Sequence, residues 1–196
     1  MLRKISAWIA AIVAGLVLGL GSGWATLEVG GAGFGQSIGA WTYNSAAGSE
    51  AAGPYTRAMI AKIALLALSA REARYYTLWQ DDQGQRLEES CIYDLAGHTL
   101  DTRWWSVTLY ADDNYLARNT DHAGSIDASR VTPAADGSWR ARVSPVRGDA
   151  PYWLSSRNAG RDFSLTLRVY NPADGFEATP DNLPQLTRVS CAGGGS

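Results

Sequence analysis

The sequence predicts a mostly β protein: an antiparallel jelly roll or β-sandwich with one packed amphipathic helix, preceded by an N-terminal transmembrane helix. Three patterns carry this expectation. Residues 5–27 form a single uncharged apolar run, residues 54–70 repeat apolar side chains at helical steps, and residues 104–110 and 163–170 alternate with the period of two that a half-buried strand imposes.

After Arg3 and Lys4 no charge occurs before Glu28, and the stretch between is rich in Ile, Val, Leu, Ala and Gly. That is long enough for one membrane-spanning helix. Basic residues precede the run and the next is Arg57, an asymmetry that places the N-terminus in the cytoplasm and the remainder across the membrane. Gly23-Trp24-Ala25 offers a small-x-small cleavage site, but the run exceeds the usual core of a signal peptide and Trp24 suits the outer interface of an anchor. We therefore read 1–27 as a cytoplasmic stub and retained anchor, with a signal sequence as the alternative. Ala7, Ala11, Gly15, Gly19 and Gly23 fall every fourth residue and make one small-residue stripe, where a second copy of the helix could approach; the competing account is the ordinary Ala and Gly content of membrane helices.

Removing this segment leaves about 170 residues, a length that favours one domain with a sizeable core. Arg3 and Lys4 are two of the 17 basic residues, so the exported part carries 15 against 19 acidic residues, a formal charge of −4. Nothing in this balance suggests a nucleic-acid partner.

Residues 28–53 are Gly-rich, small and polar apart from Trp41 and Tyr43, and read as a tether that becomes ordered near Trp41. Pro54 then suits a first helical position, and Met59, Ile63, Leu66 and Ala70 recur at three- and four-residue steps. The domain proper is read as 54–196.

Strands follow. Residues 74–80 are aromatic and β-branched and end at the turn Asp81-Asp82-Gln83-Gly84; 91–95 is a short strand ending at Ala96-Gly97. Trp105, Val107 and Leu109 alternate with Trp104, Ser106, Thr108 and Tyr110, which sends the first set to a core and the second to the other face. Trp139, Ala141 and Val143 do the same after a turn at Asp136-Gly137. The clearest strand places Phe163, Leu165, Leu167 and Val169 opposite Ser164, Thr166, Arg168 and Tyr170, and Asn171-Pro172 ends it. Regularly spaced short strands of this kind indicate a sandwich or jelly roll.

Cys91 and Cys191 are the only cysteines, and both lie in the exported part. An intramolecular bridge is the preferred reading, against free thiols or an intermolecular bond. Closing so long a loop is worth up to about 4–5 kcal/mol in the chain-entropy model.

The segments Trp105-Ser106-Val107-Thr108-Leu109-Tyr110, Asn119, Asp136-Gly137-Ser138, Trp153-Leu154 and Phe163 to Pro172 stand in an order that resembles DUF1214, a bacterial family of unknown function. PYTRA at 54–58 and CIYDLAG at 91–97 look like its short, membrane-tethered members, which lack the companion domain DUF1254. The resemblance implies a jelly-roll fold. Two departures stand out: Tyr152 and Ser155 replace the asparagine and proline that usually flank the tryptophan-leucine pair.

The chain carries no HExxH, P-loop or EF-hand pattern, and no spacing that implies a metal or cofactor. His98 and His122 read as solvated turn residues, and Asp81-Asp82 and Asp112-Asp113 as turn acids. Candidate ligand contacts are Trp104, Tyr110, Asn119, Trp153 and Arg168: aromatic surface for a sugar ring or apolar ligand, and a guanidinium for a carboxylate. The competing account buries both faces of the central strand, one of them under the helix at 54–70.

Three functions are compatible with these residues. First is a non-catalytic periplasmic module on the inner membrane that contacts an envelope protein or glycan. Second is a jelly-roll binder of a carbohydrate or small apolar ligand. Last is a hydrolase, for which no nucleophile or acid–base pair speaks.

Overall fold

The computed structural model describes residues 2–29, 35–45, 47, 49, 52–62, 68–69 and 71–192. Helix α1 covers Leu2–Val29. Its window Ala7–Ala25 is long and apolar enough to cross a membrane, and none of it is buried against the rest of the chain.

Eleven strands follow among the described residues: β1 (Gln36–Ile38), β2 (Trp41–Tyr43), β3 (Ala73–Leu78), β4 (Leu87–Glu88), β5 (Cys91–His98), β6 (Thr102–Tyr110), β7 (Ser125–Asp127), β8 (Ser138–Ser144), β9 (Tyr152–Ser155), β10 (Arg161–Pro172) and β11 (Gln185–Cys191). They form two sheets. The large sheet runs β1-β2-β3-β10-β6-β7 with β4 added to β10, and the small one runs β11-β5-β8-β9. Pairing is antiparallel throughout, except that β8 and β9 run parallel. The chain is thus mostly β in two sheets behind an apolar helix, as its alternation patterns require.

The core lies between the sheets. Val107 and Leu109 from β6 and Leu165 and Leu167 from β10 meet Tyr93, Leu95, Val143 and Leu154 from the small sheet, all fully buried. Two aromatic contacts bridge the layers. Trp105 of β6 stacks on Trp139 of β8 at 4.9 Å, and Tyr93 of β5 meets the edge of Phe163 of β10 at 6.1 Å; such pairs add about 0.5–1.5 kcal/mol each beyond burial.

Gly97 explains why β5 outlasts its expected end. It pairs with Trp139, and a Cβ at Gly97 would lie 2.5 Å from the indole ring, so the missing side chain is what lets Trp139 lie flat on the strand. Glycine here is a strand residue, not a stop.

The segment read as a tether contributes β1 and β2, so the sheet begins at Gln36 and not after Pro54. Trp41 makes the connection: it is buried, and its indole N–H donates to the Pro184 carbonyl at 2.6 Å. Helix α2 covers Pro54–Lys62, the first part of the helix expected over 54–70, and residues 63–67 and 70 lie outside the described part. Arg57, Ala58 and Ala61 are exposed on it and Ile60 is half-buried. The C-terminal segment is a strand, and the Cys91–Cys191 disulfide joins residues paired directly across β5 and β11.

Candidate functional site

Alternation in β3, β6 and β10 turns a second set of side chains to the outer face of the large sheet. Registers place them in transverse rows. One row is Thr42, Thr77, Thr166, Thr108 and Ser125, a line of hydroxyls across β2, β3, β10, β6 and β7. Beside it run Tyr75, Arg168, Ser106 and Asp127, followed at the strand ends by Ala73, Tyr170 and Trp104. On the other side of the hydroxyl row, Ser164 pairs with Tyr110.

Arg168 dominates this face electrostatically. Its guanidinium donates to Thr108 Oγ1 at 3.1 Å and to the Tyr110 hydroxyl, and it lies 5.4 Å from the centroid of the Tyr110 ring. These acceptors are neutral. The nearest acid in its row, Asp127, is taken by Arg130 at 3.3 Å and by the Ser129 N–H at 2.9 Å. Among the described residues Arg168 therefore has no counter-charge, although it is only half-exposed.

The rest of the face is mixed in access. Ser106, Thr108, Ser164 and Thr166 are 4–8% exposed, whereas Trp104, Tyr110, Thr77, Arg168 and Tyr170 are half-buried. Tyr75 accepts a hydrogen bond from the Leu68 N–H at 3.1 Å, so the chain after α2 passes over that part of the sheet. The face is thus partly covered, polar along the hydroxyl row and aromatic at Tyr75, Trp104, Tyr110 and Tyr170. Trp104 leans on Tyr170 at 5.3 Å and donates its indole N–H to Ser129 Oγ at 2.9 Å. Burial raises the Tyr170 pKa and the nearby Arg168 charge opposes that rise, so the phenol stays a neutral donor.

The five residues singled out from sequence do not meet in one place. Trp104, Tyr110 and Arg168 share the face just described. Trp153 stands on β9 on the outer face of the small sheet, where its indole N–H donates to the Ser144 carbonyl at 3.0 Å and Arg147 lies over its ring at 5.9 Å. Asn119 belongs to a third location, a loop anchor: its amide donates to the Arg157 carbonyl at 2.7 Å and accepts from the Asp121 N–H at 3.1 Å.

That anchor also holds Asp121, the sequence neighbour of His122. Its carboxylate accepts from Ser155 Oγ at 2.6 Å and pairs with the Arg157 guanidinium through both oxygens, while His122 is exposed at φ 53°. The acidic pairs are turn residues. Asp81 receives the N–H groups of Gln83 and Gln85, and Asp113 that of Tyr115, all at 2.9–3.0 Å.

An open depression of about 500 Å³ lies beside β4, lined by Glu88, Glu89, Ser90, Pro145, Gly160 and Arg161. Its charges are already committed. Glu89 accepts from the Asn158 and Gly160 N–H groups, and Glu88 meets Arg161 at 3.4 Å. Among the described residues no group of His, Cys, Asp and Glu could hold a metal ion.

The family described as a protein of unknown function, DUF1214, matches residues 72–174. The chain belongs to the DUF1214 family. The solved structure of the VPA0106 protein from Vibrio parahaemolyticus is similar, with 23% identity and a TM-score of 0.57 over 71% of this chain and 36% of that one. An uncharacterized protein from Burkholderia cenocepacia is similar at 17% identity and a TM-score of 0.47, over 68% of this chain and 33% of its own. The chain thus spans about a third of the length of each. The Vibrio likeness shows the fold. No curated protein matches.

This DUF1214 domain gives its two departures a physical content. Tyr152 packs against the core and its hydroxyl accepts from the Thr132 N–H at 2.7 Å, pinning the loop before β8. Ser155 is fully buried and ties the end of β9 to Asp121. Both substitutions belong to loop anchoring, away from Arg168. The hydroxyl row was missed from sequence although Thr108 and Thr166 were correctly turned outward, because strand order and register, which align them with Thr42, Thr77 and Ser125, are not written in any one strand.

Proposed function

We propose that this protein is a non-catalytic, membrane-anchored binding module of the bacterial envelope. In this reading α1 is retained in the inner membrane with its N-terminus in the cytoplasm, and the β-sandwich stands in the periplasm. The apolar run of α1 supports the anchor, and a disulfide fits an oxidising compartment. The binding surface is the outer face of the large sheet, and the observation that carries it is Arg168: a half-buried cation held by hydroxyls and an aromatic ring, without a carboxylate of its own among the described residues. A charge desolvated in that way is costly unless a partner completes it.

Self-association through Ala7, Ala11, Gly15, Gly19 and Gly23 is a further part of this proposal. On α1 these positions are exposed apart from half-buried Gly23, as a helix–helix contact needs.

The test is a thermal-unfolding screen of the full chain in detergent against glycans, lipids and small metabolites. A ligand should raise the melting temperature by mass action, and Arg168→Met should abolish the rise. Rises that survive that substitution would move the binding surface elsewhere.

A further inference from the structure

Arg168 and the hydroxyl row lie side by side, and together they define a ligand more narrowly than either does alone. We infer that the outer face of the large sheet binds an acidic sugar, with its carboxylate on Arg168 and its hydroxyl groups on the Thr and Ser row; this rests on the binding reading above.

The argument is one of complementarity. Arg168 uses two of the five N–H donors of a guanidinium on protein oxygens, Thr108 Oγ1 and the Tyr110 hydroxyl. The fork that remains suits a planar carboxylate, which accepts two parallel hydrogen bonds from it. Thr166 stands one residue pair away from Arg168 on the same face of β10, flanked by Thr77 and Thr108 in register. Thr77 and Thr166 approach each other at 3.5 Å through their hydroxyls. A hydroxyl both donates and accepts, so such a row matches a polyol better than it matches a lipid chain or a purely anionic group.

Access fits the same ligand. Thr166 and Thr108 are closed to a ligand at 4% and 8% exposure, and the row is reachable at half-exposed Thr77, next to half-exposed Arg168 and Tyr110. Tyr110 offers its ring to Arg168 and is half-exposed, which leaves aromatic surface beside the cation for the apolar face of a pyranose. An aromatic carboxylate would satisfy Arg168 and leave the hydroxyls unused. A neutral sugar would do the reverse.

The experiment is a titration of the full chain in detergent, at matched ionic strength, with glucuronate, glucose and benzoate. Tryptophan fluorescence and thermal unfolding supply the two readouts. Glucuronate should bind at least tenfold more tightly than glucose or benzoate, and at ten times its dissociation constant should raise the melting temperature by about 3 °C. Arg168→Met should reduce glucuronate to the affinity of glucose. Thr77→Val, which keeps the shape and removes one hydroxyl, should weaken glucuronate and leave benzoate unchanged. If benzoate binds as tightly as glucuronate, or Thr77→Val weakens neither, the sugar assignment is overturned while an anion site at Arg168 stands. If glucose equals glucuronate and Arg168→Met changes neither, the carboxylate anchor is overturned. If none of the three shifts the chain but another compound does so through Arg168, the acidic-sugar class fails and the binding reading survives.

Discussion

Arg168 of the large sheet and the arginines of the small sheet are held in opposite ways. On the small sheet Arg142 meets Asp94 at 2.6 Å, and Arg188 pairs with the fully buried Asp81 while lying over the Tyr93 ring. At its edge Arg157 closes on Asp121. On the large sheet Arg168 meets two hydroxyls and the Tyr110 ring, and no carboxylate among the described residues. A closed ion pair holds strands together, whereas a half-buried cation with neutral partners is the feature on which the proposed binding surface rests. Arg74 lies between the cases: it donates to the Phe176 carbonyl at 2.6 Å and lies over the Phe176 ring.

The small sheet should accordingly be the region where substitutions cost most. Its last strand is held by a covalent bond, so Cys191→Ser should lower unfolding stability by about 4 kcal/mol, read from urea unfolding with the m-value fitted separately for each protein. A loss under about 1 kcal/mol would show that β11 is held by its hydrogen bonds alone.

Next in size is Arg188→Met, which strands a buried carboxylate. Asp81 keeps two backbone N–H donors but loses its counter-charge, at a cost of about 3 kcal/mol. Arg142→Met removes a pair whose members are partly exposed, at 30% and 43% of their side-chain surface, and should cost less than about 1 kcal/mol. Equal losses for the two variants would break the distinction between buried and open pairs.

The inner face was the legible part of this fold. Val107, Leu109, Leu165 and Leu167 sit in the core because a period of two leaves them no other side. Strands without that pattern were illegible: β1 and β2 are three residues each in a Gly-rich stretch, and they exist because β1 pairs with β2, β2 pairs with β3, and Trp41 is buried. Gly97 misled for the same reason, its role being set by Trp139 across the strand pair. Of the site, the outward turn of Trp104, Tyr110 and Arg168 was legible. Their separation from Trp153 was not, since one strand cannot announce which sheet it joins.

The smallest effect is one of pH. Burial raises the pKa values of Tyr76 and Tyr93 in the folded protein. The unfolded chain therefore loses those protons first, near the ordinary phenol value of about 10. Stability from these groups is full below that pH and falls as the pH rises above it. Denaturation at pH 9 and 11 should show the decline, and Tyr76→Phe should reduce it; a flat profile would place both phenols in solvent.

The contrast between closed and open arginines is tested most directly by the urea midpoint of Arg168→Met in the unliganded full chain. With no ion pair to break, the variant should match the parent to within about 1 kcal/mol or exceed it, in contrast to Arg188→Met. A loss as large as that of Arg188→Met would make Arg168 a structural residue and contradict the account.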